Sequence, residues 1–170
     1  LYCMPFNSSN AIMFYNKTLF KKAGLDPNKP PKTYEELIDY AEKLMVKDDK
    51  GNITQAGITW NLHTWFFEQF MAVQNAALTD NNNGRTGRPT KAIFNSDAGL
   101  KTFTFWNDLT KNGSMINTKV HDWTGARNLF ISQKVGMIIT STSDVALMVK
   151  SAKENNFELG TAFIPAPADA

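Results

Sequence analysis

Cysteine and histidine are almost absent from the sequence. Cys3 is the only thiol among the 170 residues, so no internal disulfide and no cysteine-based metal cluster can form. We expect Cys3 to be a buried structural thiol. The two histidines, His63 and His121, are far apart in sequence and neither has a second ligand at helical spacing. We therefore expect no metal site and no cofactor.

Motifs of the common enzyme classes are also missing. The sequence contains no Gly-x-Ser-x-Gly elbow, no Gly-x-x-x-x-Gly-Lys phosphate loop and no Gly-x-Gly-x-x-Gly turn. The net charge is only +2, and the densest basic cluster is the pair Lys21-Lys22, which gives nucleic acid no patch to bind. No apolar run reaches the ~18 residues that a membrane span needs. These absences argue against an enzyme, a nucleic-acid partner and a transmembrane segment.

The composition is that of a folded domain with a substantial core. Hydrophobic residues make up 42% of the chain and charged residues 20%, and there are twelve phenylalanines and four tryptophans. The length fits one domain, which we place over residues 1–170. Because the chain starts without methionine and stops in a proline-rich run, we expect it to be a piece of a longer protein.

The first elements carry clear local signals. The apolar run Ala11–Tyr15 predicts a buried strand, and Asn16 is suited to cap the helix that follows. Gly24 predicts the left-handed residue that ends this helix. After a proline-rich loop, Thr33 and Glu36 form the Thr-x-x-Glu capping box of a second helix.

Strand and helix patterns then alternate to the end of the chain, which predicts the α/β class. Strands are predicted at 56–59, 92–94, 135–139 and 157–163. One helix is predicted to follow the strand at 56–59 and to end near residue 75, and a second to begin after a cap at Asn95 or Ser96. A third is predicted over 121–132 and a fourth after Asp144.

A tryptophan-rich loop follows the strand predicted at 56–59. It contains Trp60, His63 and Trp65, at a point where a strand gives way to a helix. The carboxyl ends of strands are where α/β sheets bind ligands. An indole face suits a sugar ring, a glycerol backbone or a choline head group. Core packing is an equally good reading for Trp60, whereas we expect Trp65 to face a cleft and His63 to form hydrogen bonds there.

A hydroxyl-rich turn follows the strand predicted at 135–139. Free amides at a helix N-terminus attract anions, and adjacent hydroxyls add donors, so Thr140–Asp144 suits a phosphate or a polyol. We expect Ser143 or Asp144 to cap the helix, which would leave Ser141 and Thr142 for a ligand. The turn around Ser9 is a third candidate.

The residues also resemble a known family. The segments Tyr15–Leu25 and Pro31–Leu37 are similar to the signature of extracellular solute-binding proteins of ABC importers, and Phe130–Met137 resembles a later motif of the same family. This is the carbohydrate-binding family that includes maltose-binding protein. The glycerol-3-phosphate-binding subfamily resembles the chain most, through Pro5–Ser9, the tryptophan-rich loop, Asn82–Gly84, the hydroxyl-rich turn and the closing Ile164–Ala170.

The resemblance implies one lobe of a type II periplasmic-binding-protein fold, with a central mixed sheet flanked by helices. Residues 1–10 and 163–170 would be the crossings to the other lobe, and the two lobes would close on the solute like a hinge. In the subfamily the tryptophan-rich loop and the serine turn face the cleft. Carried over to this sequence, the resemblance assigns solute binding to Trp60, Trp65, Ser141 and Ser143.

The implied function is the capture of glycerol-3-phosphate or a glycerophosphodiester for an ABC importer. The expected partners are that small solute and the membrane permease. The expected location is extracytoplasmic, either periplasmic or anchored at the bacterial cell surface. A sugar or oligosaccharide is the alternative solute, and a lobe of a small hydrolase or transferase is the alternative of another class.

Overall fold

A mixed β-sheet runs through the centre of the structure, a computed structural model that describes residues 4, 6 and 8–170. Over these residues the strands are β1 (Ala11–Asn16), β2 (Val46–Lys47), β3 (Ile53–Leu62), β4 (Met115–Val120), β5 (Val135–Ser141) and β6 (Leu159–Ala162). Strand β3 pairs in parallel with β4 and β5, and β1 lies antiparallel between β5 and β6. Strand β2 pairs antiparallel with the start of β3. The predicted central mixed sheet is confirmed.

Helices pack on both faces of this sheet. They are α1 (Lys17–Lys22), α2 (Tyr34–Lys43), α3 (Thr64–Ala72), α4 (Asp80–Gly84), α5 (Asp97–Lys111), α6 (Trp123–Ile131) and α7 (Val145–Glu154), with a 3-10 turn at Thr142–Asp144. The short α4 is irregular, because its three asparagines all have positive φ. None of the helices in the described part of the chain is both long and apolar enough to cross a bilayer.

Two apolar clusters form the core, one on each side of the sheet. The alternation of β1 separates them, since Met13 and Tyr15 belong to one cluster and Phe14 to the other. The larger cluster packs α2, α3 and α5 against the sheet through buried aromatic and aliphatic residues that include Leu37, Phe66, Phe70, Phe105 and Leu109. The smaller one packs α6 and α7 through Phe130 and Met148. The sheet is therefore flanked by helices, as predicted.

The predicted caps of the first two helices are confirmed in detail. The Asn16 side chain accepts from the Leu19 amide at 2.9 Å, and Gly24 has φ +74° after the end of α1. Thr33 accepts from the Glu36 amide at 3.2 Å, while the Glu36 carboxylate accepts from the Thr33 amide at 3.4 Å.

Several predicted elements differ from those of the structure. Strand β4 was not predicted, and the strand expected at 92–94 is only an isolated bridge between Thr79 and Ala92. The helix expected from residue 121 begins at Trp123, because His121 has φ +60° and the Asp122 side chain caps the helix by accepting from the Gly125 amide at 2.7 Å.

The sheet topology brings the predicted ligand loops to one edge. Strands β3, β4 and β5 are parallel, so all three end at the same edge. Strand β1 is antiparallel to β5, and Ala11 pairs with Ser141, so the chain enters β1 at that edge too. Four chain segments therefore converge there: the start of α3, the start of α6, the Ser141–Ser143 turn and the residues before Ala11.

The two predicted crossing segments stay predictions. Residues 1, 2, 3, 5 and 7, and with them Cys3, lie outside the described residues. At the other end Phe163 is 94% exposed, and Asp169 forms an ion pair with Lys101 at 2.6 Å.

Candidate functional site

An open pocket of about 510 Å³ lies at the edge where these segments converge. It is lined by Ser9, His63, Trp65, Trp123, Arg127, Ser141 and Ser143. Five of the predicted site residues therefore come together, although they are spread over more than 130 positions of sequence. A slightly larger groove of about 540 Å³ beside Pro30–Lys32 is lined by prolines and aliphatic side chains and has few polar groups. The polar pocket is therefore the better candidate site.

His63 sits at the junction of β3 and α3 and caps that helix. Its Nδ1 accepts from the Trp65 amide at 3.0 Å, so Nδ1 is unprotonated and the ring proton is on Nε2. The ring also contacts His121 and Trp123, at centroid distances of 4.6 and 5.6 Å. The cap therefore fixes the tautomer of His63, whose Nε2 is left as a donor.

Two partly exposed indoles form an aromatic wall. Trp65 and Trp123 lie 5.9 Å apart at 55°, and both rings pack on Phe66, which is buried beneath them. Since Phe66 belongs to the core, the two indoles are held in place from behind. They offer flat apolar faces to a solute in the pocket.

Two hydroxyls stand opposite the indoles. Ser141 Oγ accepts from the Ser143 amide at 3.1 Å and from the Ser143 hydroxyl at 2.8 Å. Ser141 therefore caps the 3-10 turn. Asp144, one of the two predicted candidates, stands at the N-cap position of α7, but its side chain makes no capping hydrogen bond. The Asp144 carboxylate is instead engaged by Arg127 and Thr140.

Arg127 brings the positive charge of the pocket, and it is paired with a buried carboxylate. Its Nη2 lies 2.8 Å from Asp144 Oδ1 and its Nε donates to Oδ2 at 3.0 Å. The Thr140 hydroxyl donates to the same Oδ2 at 2.6 Å. Two of the five guanidinium N–H groups are thus used, and the rest can serve a solute. The pair holds Arg127 in place and offsets its charge.

Two residues of the pocket, Trp123 and Arg127, were not predicted from the sequence. They lie four positions apart, on one face of the helix that follows β4. That spacing was visible in the sequence. The spacing alone does not predict that the two residues line the pocket, because β4 was not predicted and no other signal places the start of α6 at this edge of the sheet.

Two predicted residues lie elsewhere. Trp60 is 0% exposed and packs against Phe70, Phe105 and Trp106 with ring centroids 5.1–6.0 Å apart. Its ring cannot reach a solute, so the assignment of Trp60 to the site is corrected to the core. Thr142 is exposed but does not line the pocket, and its Oγ1 accepts from the Asn10 amide at 3.2 Å. Thr142 therefore joins the entry of β1 to the turn after β5.

The arrangement suits reversible binding of a polar solute. The described residues include no group of three or more His, Cys, Asp or Glu that could hold a metal ion. What the pocket offers is two indole faces, three hydroxyls, a guanidinium and an imidazole, which bind through stacking and hydrogen bonds. The chain is thus an α/β lobe with an open, largely polar pocket at the carboxyl ends of its parallel strands.

Comparison with known proteins gives the family. The family model described as "Bacterial extracellular solute-binding protein" matches residues 2–170, and the chain belongs to this family. The resemblance drawn from the sequence is confirmed. The family name and the periplasmic relatives below both indicate an extracytoplasmic location.

Relatives with assigned functions are similar over most of the chain. The sn-glycerol-3-phosphate-binding periplasmic protein UgpB of Brucella abortus (strain 2308) is 36% identical over 149 residues, which are 86% of this chain and 33% of that protein. UgpB of Escherichia coli (strain K12) is 32% identical over 171 residues, 100% of this chain and 37% of that protein. The chain thus spans about a third of the length of these relatives.

Solved structures confirm the fold class. A solute-binding protein of an ABC transporter from Thermotoga lettingae, bound with α-D-tagatose, superposes with a TM-score of 0.76 and 27% identity, over 95% of this chain and 40% of that one. UgpB from Mycobacterium tuberculosis, in complex with glycerophosphocholine, gives 0.71 and 21% over 99% of this chain and 38% of that one.

Proposed function

We propose that the full-length protein is the solute-binding component of an ABC importer and captures glycerol-3-phosphate or a glycerophosphodiester. The solute binds between this lobe and a second one, and the protein delivers it to a membrane permease. It acts outside the cytoplasm, either in the periplasm or anchored at the cell surface. It binds its solute and does not convert it.

One observation carries this proposal: a guanidinium, a hydroxyl pair and two indoles share one pocket. Arg127 and the Ser141–Ser143 pair supply donors for phosphate oxygens. Trp65 and Trp123 supply faces for a glycerol backbone or a choline head. His63 and Ser9 complete the rim of the pocket. The names of the Brucella and Escherichia relatives, both sn-glycerol-3-phosphate-binding, support the same solute.

A sugar or oligosaccharide is the second candidate, and a specific observation favours it. The charge of Arg127 is offset by Asp144, which is 6% exposed, so the pair adds no net charge to the pocket. A neutral solute with many hydroxyls would fit such a pocket, and indole faces stack well on sugar rings. The Thermotoga structure with bound tagatose is consistent with this reading.

The geometry of the pocket gives no support to a hydrolase or transferase. Nucleophilic catalysis needs a hydroxyl hydrogen-bonded to a base. Here Ser141 Oγ is bonded to Ser143, while Nδ1 of His63 is occupied by the Trp65 amide. These hydrogen bonds hold the described side chains of the pocket in position.

Calorimetry on the full-length protein tests the proposal. We expect sn-glycerol 3-phosphate or glycerophosphocholine to bind in the micromolar range or tighter, about −8 kcal/mol, and maltose not to bind. Binding of maltose with no response to the phosphates would select the second candidate. A product assay that detects hydrolysis of either phosphate ester would contradict the proposal that the protein only binds its solute.

The variant Trp65→Ala tests the aromatic wall in the same assay. Loss of the stacking face should weaken binding by roughly 1–3 kcal/mol. Trp65→Phe is the matched control, because it keeps an aromatic face and should keep most of the affinity. An unchanged affinity in Trp65→Ala would return Trp65 to a structural role.

A further inference from the structure

A second cavity, of about 390 Å³, adjoins the polar pocket. It lies where β3 and β4 end, between α3 and α5. We call it the apolar groove, because its walls are mainly Leu62, Phe67, Phe103, Trp106 and Val120. Thr64 and the two histidines complete its lining. Neither glycerol-3-phosphate nor a sugar bound in the polar pocket requires this groove.

Large apolar side chains are exposed in the groove without serving the core. Phe103 is 55% exposed and Val120 67% exposed. Helix α5 already packs on the core through Phe105 and Leu109, which are buried. Phe103 stacks instead on Phe67, at a centroid distance of 4.8 Å and an angle of 21°, and the two rings form one continuous wall. Such exposure has a cost in water that a bound apolar group would remove.

His63 lines both the polar pocket and the apolar groove. Its ring contacts Trp123, which belongs to the pocket, and His121, which belongs to the groove. The two cavities are therefore neighbours across a single side chain. A molecule that fills both cavities would have its polar part against Ser141 and Arg127 and would contact His63 at the border with the groove.

We propose that the apolar groove binds an apolar substituent of the captured solute, a short acyl or alkyl chain attached to its polar head. This rests on the proposed function, since the polar pocket must hold the head. The volume is in the range of small-molecule sites, and aromatic and aliphatic walls suit a hydrocarbon chain. Because the groove shares His63 with the polar pocket, we infer that its occupant is part of the same solute.

The experiment measures the gain in affinity that a chain provides. Calorimetry on the full-length protein compares glycerophosphocholine with its 1-hexanoyl ester, and maltose with hexyl maltoside, all below micelle-forming concentrations. A fully buried methylene is worth about a threefold to fourfold change in Kd. Because the groove is open, we expect the six-carbon chain to tighten binding about tenfold to a hundredfold on whichever head binds.

Two variants locate the gain, and a third is the control. Phe103→Ser and Val120→Thr should each reduce the gain to a few-fold. Leu100→Ser should keep it, since Leu100 lies on the same helix as Phe103, is 68% exposed and does not line the groove. Each gain is a ratio within one variant, so a general loss of stability does not imitate the effect.

The outcomes separate the two proposals. No gain in the unaltered protein, or a full gain in both groove variants, overturns the apolar groove as a binding site while the proposed function stands. If neither head binds with or without a chain, the proposed function fails, and the groove proposal fails with it. If the gain in affinity is lost in both groove variants and kept in the control, the result supports the apolar groove as the binding site of the chain.

Discussion

Tyr34 is packed in the centre of the larger core cluster with an unpaired hydroxyl. The residue is 4% exposed, and its ring stacks on Phe105 at 4.0 Å and 9°. The neighbouring polar groups are bonded elsewhere: Gln74 donates to Thr102 at 2.9 Å, and Thr102 donates to the Ala98 carbonyl at 2.9 Å. The Tyr34 hydroxyl has no hydrogen-bond partner among the described residues. Burial raises the pKa of Tyr34 from 10.0 to about 12.

This raised pKa makes stability depend on alkaline pH. The folded state holds the Tyr34 proton more tightly than the unfolded state, so the contribution is fully present below pH 10 and is lost as the pH rises through about 12. The free energy of unfolding should fall by about 1.4 kcal/mol per pH unit in that window. We expect Tyr34→Phe to remove this slope and to be neutral or stabilising at pH 7. Urea unfolding of the unaltered protein and of the variant from pH 7 to 11.5 measures this pH dependence. Equal slopes in the two proteins would contradict the assignment of the effect to Tyr34.

The fate of the two predicted tryptophans depends on where β3 ends. The prediction ended this strand at residue 59, which put Trp60 and Trp65 in one loop. The strand continues to Leu62, so Trp60 alternates into the core while Trp65 lies beyond the strand and faces the pocket. Pairing with β4, at Trp60 and Leu62, extends the strand past residue 59, and this pairing is not encoded in the residues of β3 alone.

At the scale of elements, local chemistry was predictable and non-local pairing was not. The caps at Asn16 and Thr33 depend on atoms within three residues, so the sequence shows them directly. Strand β4 is largely polar and exposed in its second half. Its order comes from β3, through bonds such as that from the Thr59 hydroxyl to the Ile116 carbonyl at 2.7 Å. A strand of this kind leaves no period-two apolar signal, and its absence hid Trp123 and Arg127 as well.

Gly57 sets the approach of α2 to β3. A Cβ at this position would overlap the carbonyl oxygen and the Cα of Ala41, which are backbone atoms that cannot move alone. Gly57→Ala should therefore push the helix off the strand and lower the free energy of unfolding by roughly 1–3 kcal/mol or more.

Gly87→Ala is the matched control for this prediction. A Cβ there would be no closer than 3.6 Å to the Asn81 side chain, which is ordinary contact, so stability should change little. Chemical denaturation of the two variants compares them directly. Equal shifts would mean that contact with α2 does not set the cost at Gly57.

At the scale of the whole molecule, the proposed function makes the candidate pocket one wall of a site. The chain covers 33% and 37% of the two UgpB relatives and 40% of the Thermotoga protein. The pocket is an open surface at one edge of the sheet, formed by loop and helix starts. Small-molecule sites usually enclose about 70–90% of the surface of their ligand, which one open wall does not. In the proposed function the second lobe supplies the rest.

A comparison of this chain with the full-length protein tests whether the solute site is shared between two lobes. If about half of the binding free energy comes from the second lobe, its loss should cost on the order of 4 kcal/mol, or about a thousandfold in Kd. We expect residues 1–170 alone, shown by circular dichroism to be folded, to bind the solute of the full-length protein at least that much more weakly. Trp65→Ala should weaken both forms by the same factor, because its contact lies within this lobe. Equal affinity of the two forms would place the whole site within these residues and would contradict capture between two lobes.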